Sequence, residues 1–150
     1  MLDVEIDHRS IQVEAFGKPD ILADIRALPF RHSLDAISTS ALERIPDEDI
    51  IVALKSCRAA LRPGGRFEAR VQDLPWLMRK FLHSSAGERW AFYRPLIFGA
   101  EERGQHHRTG FSVKRLSDCL VAAGFRTIKV GRRKCEDGAG LMEINAVATV

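Results

Sequence analysis

The chain opens at once on Leu2-Asp3-Val4-Glu5-Ile6-Asp7, a short apolar strand that ends in acidic residues. In open α/β sheets such a strand usually comes second, and its terminal carboxylate holds the ribose hydroxyls of a nucleoside. The strand and glycine-rich turn that ordinarily precede it are absent ahead of Leu2. The expected sheet therefore lacks its central strand, or takes it from elsewhere.

The order of the remaining elements sets the fold class. Asp20-Ile21-Leu22-Ala23-Asp24 is a second strand that again ends in an acid, and Leu34-Asp35-Ala36-Ile37-Ser38 is a third with buried-type composition. The stretch 8–18 is ambiguous. Ile50, Leu54, Cys57 and Leu61 then recur at helical spacing behind Asp47, the expected cap, and Pro63-Gly64-Gly65 supplies the stop. Arg66 to Val71 alternates as a strand. Asp73 is the expected cap of a helix with Leu74, Leu77, Met78 and Phe81 on one face, and Ser112 that of another carrying Leu116, Cys119, Leu120 and Ala123 up to Gly124. Arg126 to Val130 and Leu141 to Val150 close the chain as an antiparallel pair. Strands alternating with helices predict an α/β fold: a truncated, doubly wound, mostly parallel sheet with a C-terminal antiparallel strand pair.

With 150 residues, 45% of them hydrophobic, the chain can bury one core, so 1–150 reads as a single domain. A net charge of +3 is too small, and too little clustered, to favour nucleic acid. Arg132-Arg133-Lys134 reads as a solvated turn after a strand. No apolar run is long enough to span a membrane, and the acidic start is unlike a signal peptide, so the expected location is cytoplasmic. Cys57, Cys119 and Cys135 fit neither a disulfide frame nor a metal site; the first two read as small core residues on helix faces. Trp76, Trp90 and the phenylalanines also read as core.

Several stretches in order carry a resemblance: Asp24-Ile25-Arg26-Ala27-Leu28-Pro29-Phe30, Leu34-Asp35-Ala36-Ile37, Leu42-Glu43-Arg44-Ile45-Pro46, Leu61-Arg62-Pro63-Gly64-Gly65-Arg66, Tyr93-Arg94-Pro95-Leu96-Ile97-Phe98-Gly99 and His107-Arg108-Thr109-Gly110-Phe111. Together they resemble class I S-adenosylmethionine-dependent methyltransferases, in particular a small bacterial branch of predicted methyltransferases. The likeness implies a Rossmann-like methyltransferase fold and S-adenosylmethionine as cofactor. By position it assigns Glu5, or the nearby Asp7, to the cofactor ribose. It assigns Asp24 to the adenine amine with the Ile25 backbone beside it, and Leu28 to the turn packed under the adenine. Ser38 begins the segment that faces cofactor and acceptor. His106 and His107 are the candidate bases. Tyr93, Arg94 and Arg108 are candidates for binding an acidic or sugar-like acceptor, against the plainer reading that the histidines and arginines here are solvated loop residues tied to Glu101 and Glu102.

The chain departs from the family pattern in two places. The first strand and its glycine-rich loop are missing, and Gly138-Ala139-Gly140 cannot replace them because it lies between the two closing strands. Arg44 stands where the branch commonly has a histidine, and Ser38 to Leu42 is one residue short. Two function classes therefore stand side by side. One is a methyltransferase acting on a small molecule. The other is a non-catalytic binding or structural subunit. A missing central strand also predicts one of three rearrangements, direct pairing of the second strand with the fourth, homo-oligomerisation through exposed edges, or a strand donated by a protein partner, with a fourth alternative that Met1 is internal to a longer reading frame.

Overall fold

A computed structural model describes residues 2–7, 10–14, 21–100, 105–135 and 140–150 of the chain. Seven strands form the main sheet: β1 (Leu2–Asp7), β2 (Ser10–Glu14), β3 (Ile21–Ala23), β4 (Leu34–Thr39), β5 (Leu61–Gln72), β8 (Arg126–Lys134) and β9 (Met142–Thr149). Their spatial order is β3-β1-β2-β4-β5-β9-β8. A two-residue pair, β6 (Gly99–Ala100) with β7 (Gln105–His106), stands apart.

The ambiguous stretch 8–18 contains the strand that the sequence reading lacked. Strand β2 lies beside β4 and runs parallel to it, with Ile11 opposite Ile37 and Val13 opposite Thr39. The expected gap is thus filled from within the chain. Strand β1 pairs with β2 and not with β4. Because β1 is antiparallel to both its neighbours, it alone runs downward with β9 while the other five strands point one way. The sheet is mostly parallel in direction, although only the β2–β4 and β4–β5 pairings are parallel. The C-terminal pair is antiparallel as expected.

Helix α1 (Ile50–Ala60) follows from its periodicity: Ile50, Ala53, Leu54, Cys57 and Ala60 are buried along one stripe. Its N-terminus differs from the sequence reading. Asp47–Asp49 form a 3₁₀ turn, Asp49 is the cap residue, and no side chain caps the helix. The Asp47 carboxylate instead accepts from Thr109 Oγ1 at 2.6 Å and pairs with Arg115. The helix ends at Ala60, ahead of Pro63, and the Pro-Gly-Gly segment forms a bulge at the start of β5. Gly64 has φ +77°, and a Cβ on Gly65 would lie 2.8 Å from the Arg62 carbonyl oxygen. Both positions therefore require glycine.

Helix α2 (Leu74–His83) starts at Asp73, whose Oδ1 accepts from Trp76 N, and α5 (Val113–Ala122) starts at Ser112, whose Oγ accepts from Arg115 N. Gly124, at φ +89°, closes α5. Between α2 and α5 lie α3 (Ala86–Glu88), a π turn over Arg89–Tyr93, and α4 (Arg94–Phe98). Arg132 to Lys134 belong to β8 and make no turn; Arg132 Nε reaches the fully buried Asp73 carboxylate at 2.5 Å.

Helices α1 and α5 pack against each other and against one face of the sheet, where Ile37, Phe67, Ala69, Val71, Ile144, Ala146 and Ala148 are buried with Leu54, Leu116 and Leu120. Burying each of the larger side chains stabilises the fold by roughly 1.5–3 kcal/mol. Cys57 belongs to this core, Cys119 packs at its margin, and burial pushes the Cys57 thiol up to about 12. The aromatic residues divide. Phe67, Phe111 and Phe125 are core, whereas Trp90, Phe92 and Phe98 are exposed. The opposite face of β5 and β9 is polar, with Arg66, Glu68, Arg70 and Gln72 alternating with the buried row and Glu143, Asn145 and Thr149 beside them. A sheet covered on both faces carries continuous apolar runs; this one alternates.

Candidate functional site

In open α/β sheets ligands bind beyond the carboxyl ends of the parallel strands. At that rim, between the ends of β4 and β5, lies a cavity of about 210 Å³ lined by Ser38, Thr39, Ser40, Glu43, Arg70, Val71, Gln72 and Glu143. Strand β4 delivers the hydroxyls, and the 3₁₀ turn Leu42–Arg44 that follows it delivers Glu43. Leu42 and Ile45 anchor this turn in the core, so it cannot rotate Glu43 outward.

Glu43 is 8% exposed. Its Oε1 accepts from the Gln72 backbone N–H at 2.9 Å, and its own carbonyl accepts from the N–H groups of Arg108 (2.7 Å) and Thr109 (3.2 Å). Burial pushes its carboxyl up to about 7; Glu143 adds to the rise, against the opposing Gln72 bond and the Arg44 charge. A carboxyl that titrates near neutrality inside a rim cavity is suited to taking and returning a proton.

Of the residues expected at a cofactor site, Ser38 lines this cavity. Asp24 stands at the end of β3 on the same rim and caps the 3₁₀ turn Ile25–Ala27. Its two oxygens accept from Arg26 at 2.6–3.0 Å, Arg26 also pairs with Asp49, and these bonds hold the Asp24 carboxyl below its ordinary value. Ile25 and Leu28 are buried. Leu28 borders a separate, more open depression with Arg26, Phe30, Val52 and Ser56. The reversal of β1 overturns the strand-end assignment of Asp7. That residue pairs with Ser10 at the start of β2, so the end of β1 lies at the opposite rim from Asp24 and Ser40. Glu5 sits mid-strand opposite Gln12, which is in turn opposite Ser38.

The candidate bases separate. His106 is exposed in β7. His107 is half-buried, with Nδ1 3.3 Å from the Ile97 carbonyl; burial, against that bond and with the Arg44 charge, holds its imidazole below the ordinary value and therefore neutral at pH 7. Segment 107–109 docks on the Glu43 turn through the two backbone bonds, but His107 is not among the residues lining the cavity. Tyr93 stacks edge-on with Phe92, and neither it nor Arg94 reaches the cavity. Arg108 is exposed. Gly110 is a packing residue, since a Cβ there would meet Leu74 Cδ2 at 2.2 Å. Glu101, Glu102, Gly138 and Ala139 lie outside the described residues. Sequence reading missed Glu43, Arg70, Gln72 and Glu143. The available signal was an acid held between Leu42 and Ile45, both apolar.

No family model matches the chain, and no curated protein does. Solved structures do. A Thermotoga maritima S-adenosylmethionine-dependent methyltransferase, a possible histamine N-methyltransferase, superposes with TM-score 0.56 at 19% identity, over 85% of this chain and 61% of that one. A Methanosarcina mazei S-adenosylmethionine-dependent methyltransferase gives 0.57 at 18% identity, over 91% and 69%. The chain has the methyltransferase fold. The Burkholderia thailandensis 1,6-didemethyltoxoflavin N1-methyltransferase, solved with its acceptor and S-adenosylhomocysteine, gives 0.58 at 18% identity, over 86% and 49%. The chain thus spans about half to two thirds of the length of these enzymes.

The residues present fit the cofactor in part. Asp24 offers an acceptor at the rim, with its side chain 41% exposed, so its pairing with Arg26 is exchangeable. The Ser38–Ser40 hydroxyls line the cavity between β4 and β5, three strands along the sheet from β3. A cavity of about 210 Å³ is smaller than the roughly 300–1,000 Å³ of common ligand sites, and accommodates a small acceptor or the reacting end of a larger ligand.

Proposed function

We propose that the chain is an S-adenosylmethionine-dependent methyltransferase acting on a small acceptor in the Glu43 cavity. The observation that carries this reading is a buried carboxyl titrating near pH 7 at the carboxyl rim of β4 and β5. Asp24, the Ile25 backbone, Leu28 and Ser38 would hold the cofactor, with Glu5 in the neighbouring register row. When bound, the cofactor supplies an activated methyl group. Residues of this chain do the rest. The β4 hydroxyls and Arg70 orient the acceptor, and the anchored turn keeps Glu43 in place, so most of the gain is positional. Glu43 accepts the acceptor's O–H or N–H proton as the carboxylate and holds it as the neutral acid, which burial favours. His107 bonds to the Phe98 and Ile97 carbonyls outside the cavity, and it is the Arg108 and Thr109 N–H groups that hold the Glu43 turn.

The test is a turnover assay of Glu43→Gln. A general base at this position predicts a loss of about 10²–10⁴-fold in kcat. An unchanged kcat removes Glu43 from the reaction.

A second reading, a non-catalytic subunit that oligomerises or binds a protein partner, is favoured by one observation: Arg26 occupies both Asp24 oxygens. It predicts that Arg26→Ala leaves the chain without affinity for S-adenosylhomocysteine and that light scattering finds a dimer or larger complex. Among the described residues no helix is long and apolar enough to cross a membrane.

A further inference from the structure

The Glu43 cavity shares Gln72 and Glu143 with a second cavity of about 200 Å³. The two differ in chemistry. The first is lined by hydroxyls, Glu43 and Arg70; the second is walled by Trp76, Leu77, Leu96, Leu141 and Met142. Gln72 stands at their common wall as the last residue of β5. Its backbone N–H is given to Glu43, but its side-chain Oε1 is buried and has no hydrogen-bond partner. Buried acceptors are seldom left unpaired, because the group loses water and gains nothing in return. An apolar cavity of roughly 150 Å³ is known to hold a benzene ring, so the second cavity has room for a substituted ring.

We propose that the two cavities form one split site for a small amphipathic molecule, with an apolar ring or short branched chain seated against Trp76 and Leu96. An O–H or N–H of that molecule donates to Gln72 Oε1 beside Glu43. A sugar or polyol has no group for the apolar half, and a plain hydrocarbon leaves Gln72 unpaired, so both are disfavoured. The identification of this ligand as the methyl acceptor rests on the methyltransferase reading; the binding itself does not. In that case an acceptor amine can donate one N–H to Gln72 and surrender another to Glu43, whereas a single O–H can serve only one of the two.

The test uses 4-methylphenol, toluene and glycerol as probes, titrated into the full chain by calorimetry, with S-adenosylhomocysteine titrated separately into the same preparations. The split site predicts saturable binding of 4-methylphenol, about tenfold weaker binding of toluene for the loss of one hydrogen bond, and no binding of glycerol. Leu96→Trp, which fills the apolar half, abolishes 4-methylphenol binding and leaves the response to S-adenosylhomocysteine as in the parent. Gln72→Leu erases the preference for 4-methylphenol over toluene. Should Leu96→Trp fail to fold, the Gln72→Leu comparison decides alone. Absence of saturable 4-methylphenol binding, or a toluene affinity equal to it in the parent chain, overturns the proposal. Binding of 4-methylphenol without S-adenosylhomocysteine keeps the split site and sinks the methyltransferase reading; the reverse pattern does the opposite.

Discussion

On the proposed function Glu43 concentrates the chemistry at one residue, and its titration makes two claims that can be checked independently. As a base it must be ionised, so turnover rises with pH through about 7, and that limb disappears in Glu43→Gln. As a buried acid it also affects stability. Its folded value of about 7 lies above the ordinary 4.5, so the native state holds the proton more tightly than the unfolded chain. The contribution is fully present below pH 4.5 and is lost as pH rises through 7. Glu43→Gln removes this dependence: its urea-unfolding free energy gains on the parent by about 3 kcal/mol between pH 4 and pH 8.5. Equal pH profiles for the two proteins would contradict the burial of Glu43. The residue was hard to recognise from sequence because its setting is made by distant chain. Gln72 supplies the bond to its carboxylate, and Arg108 and Thr109 fix its backbone. Asp24 shows the converse. Its place at a strand end was legible, but its engagement by Arg26, two residues away, was not.

At the scale of elements, periodicity and caps were the dependable signals. The stripes of α1 and α5, and the caps Asp73 and Ser112, are where the residue pattern puts them, whereas of the expected α2 stripe Leu77 is buried and Met78 is exposed. Asp47 was misassigned because an acid before a helix serves the helix dipole as well as a cap does, and Thr109 and Arg115 compete for it. Asp73 does more than cap. Its Oδ2 also holds Arg132 of the edge strand, and its backbone N–H donates to the Met142 carbonyl, tying α2, β8 and β9 together. Asp73→Ala should cost about 1–3 kcal/mol in chemical unfolding, and Arg132→Ala a comparable amount, because it leaves the buried Asp73 carboxylate without its cation. A negligible loss in Arg132→Ala would place the stabilisation in the cap alone. At the β5 bulge, Gly65→Ala forces a Cβ against the Arg62 carbonyl and should destabilise by about 1–3 kcal/mol, measured as a fall in thermal midpoint.

For the whole molecule, the sequence order of strands and helices was enough to indicate an α/β sheet closed by an antiparallel pair. It was not enough to find β2, whose alternation Ser10-Ile11-Gln12-Val13-Glu14 is short and runs on into Ala15-Phe16 without a break in the sequence pattern. Nor did it reveal that β1 runs backwards, because composition carries no strand direction. The consequence reaches the site: five co-directed strands still present a carboxyl rim, but the acid at the end of β1 has been carried to the other side. On the proposed function the cofactor would then be held by Asp24, Glu5 and the β4 segment. Titration of S-adenosylhomocysteine into the parent chain, Asp24→Ala and Arg26→Ala tests this most directly. The account predicts micromolar affinity in the parent, a loss of about tenfold or more in Asp24→Ala with its thermal midpoint unchanged, and tighter binding in Arg26→Ala, where the carboxylate is freed. No heat in any of the three up to about millimolar ligand would contradict it, and would leave a methyltransferase fold without its cofactor.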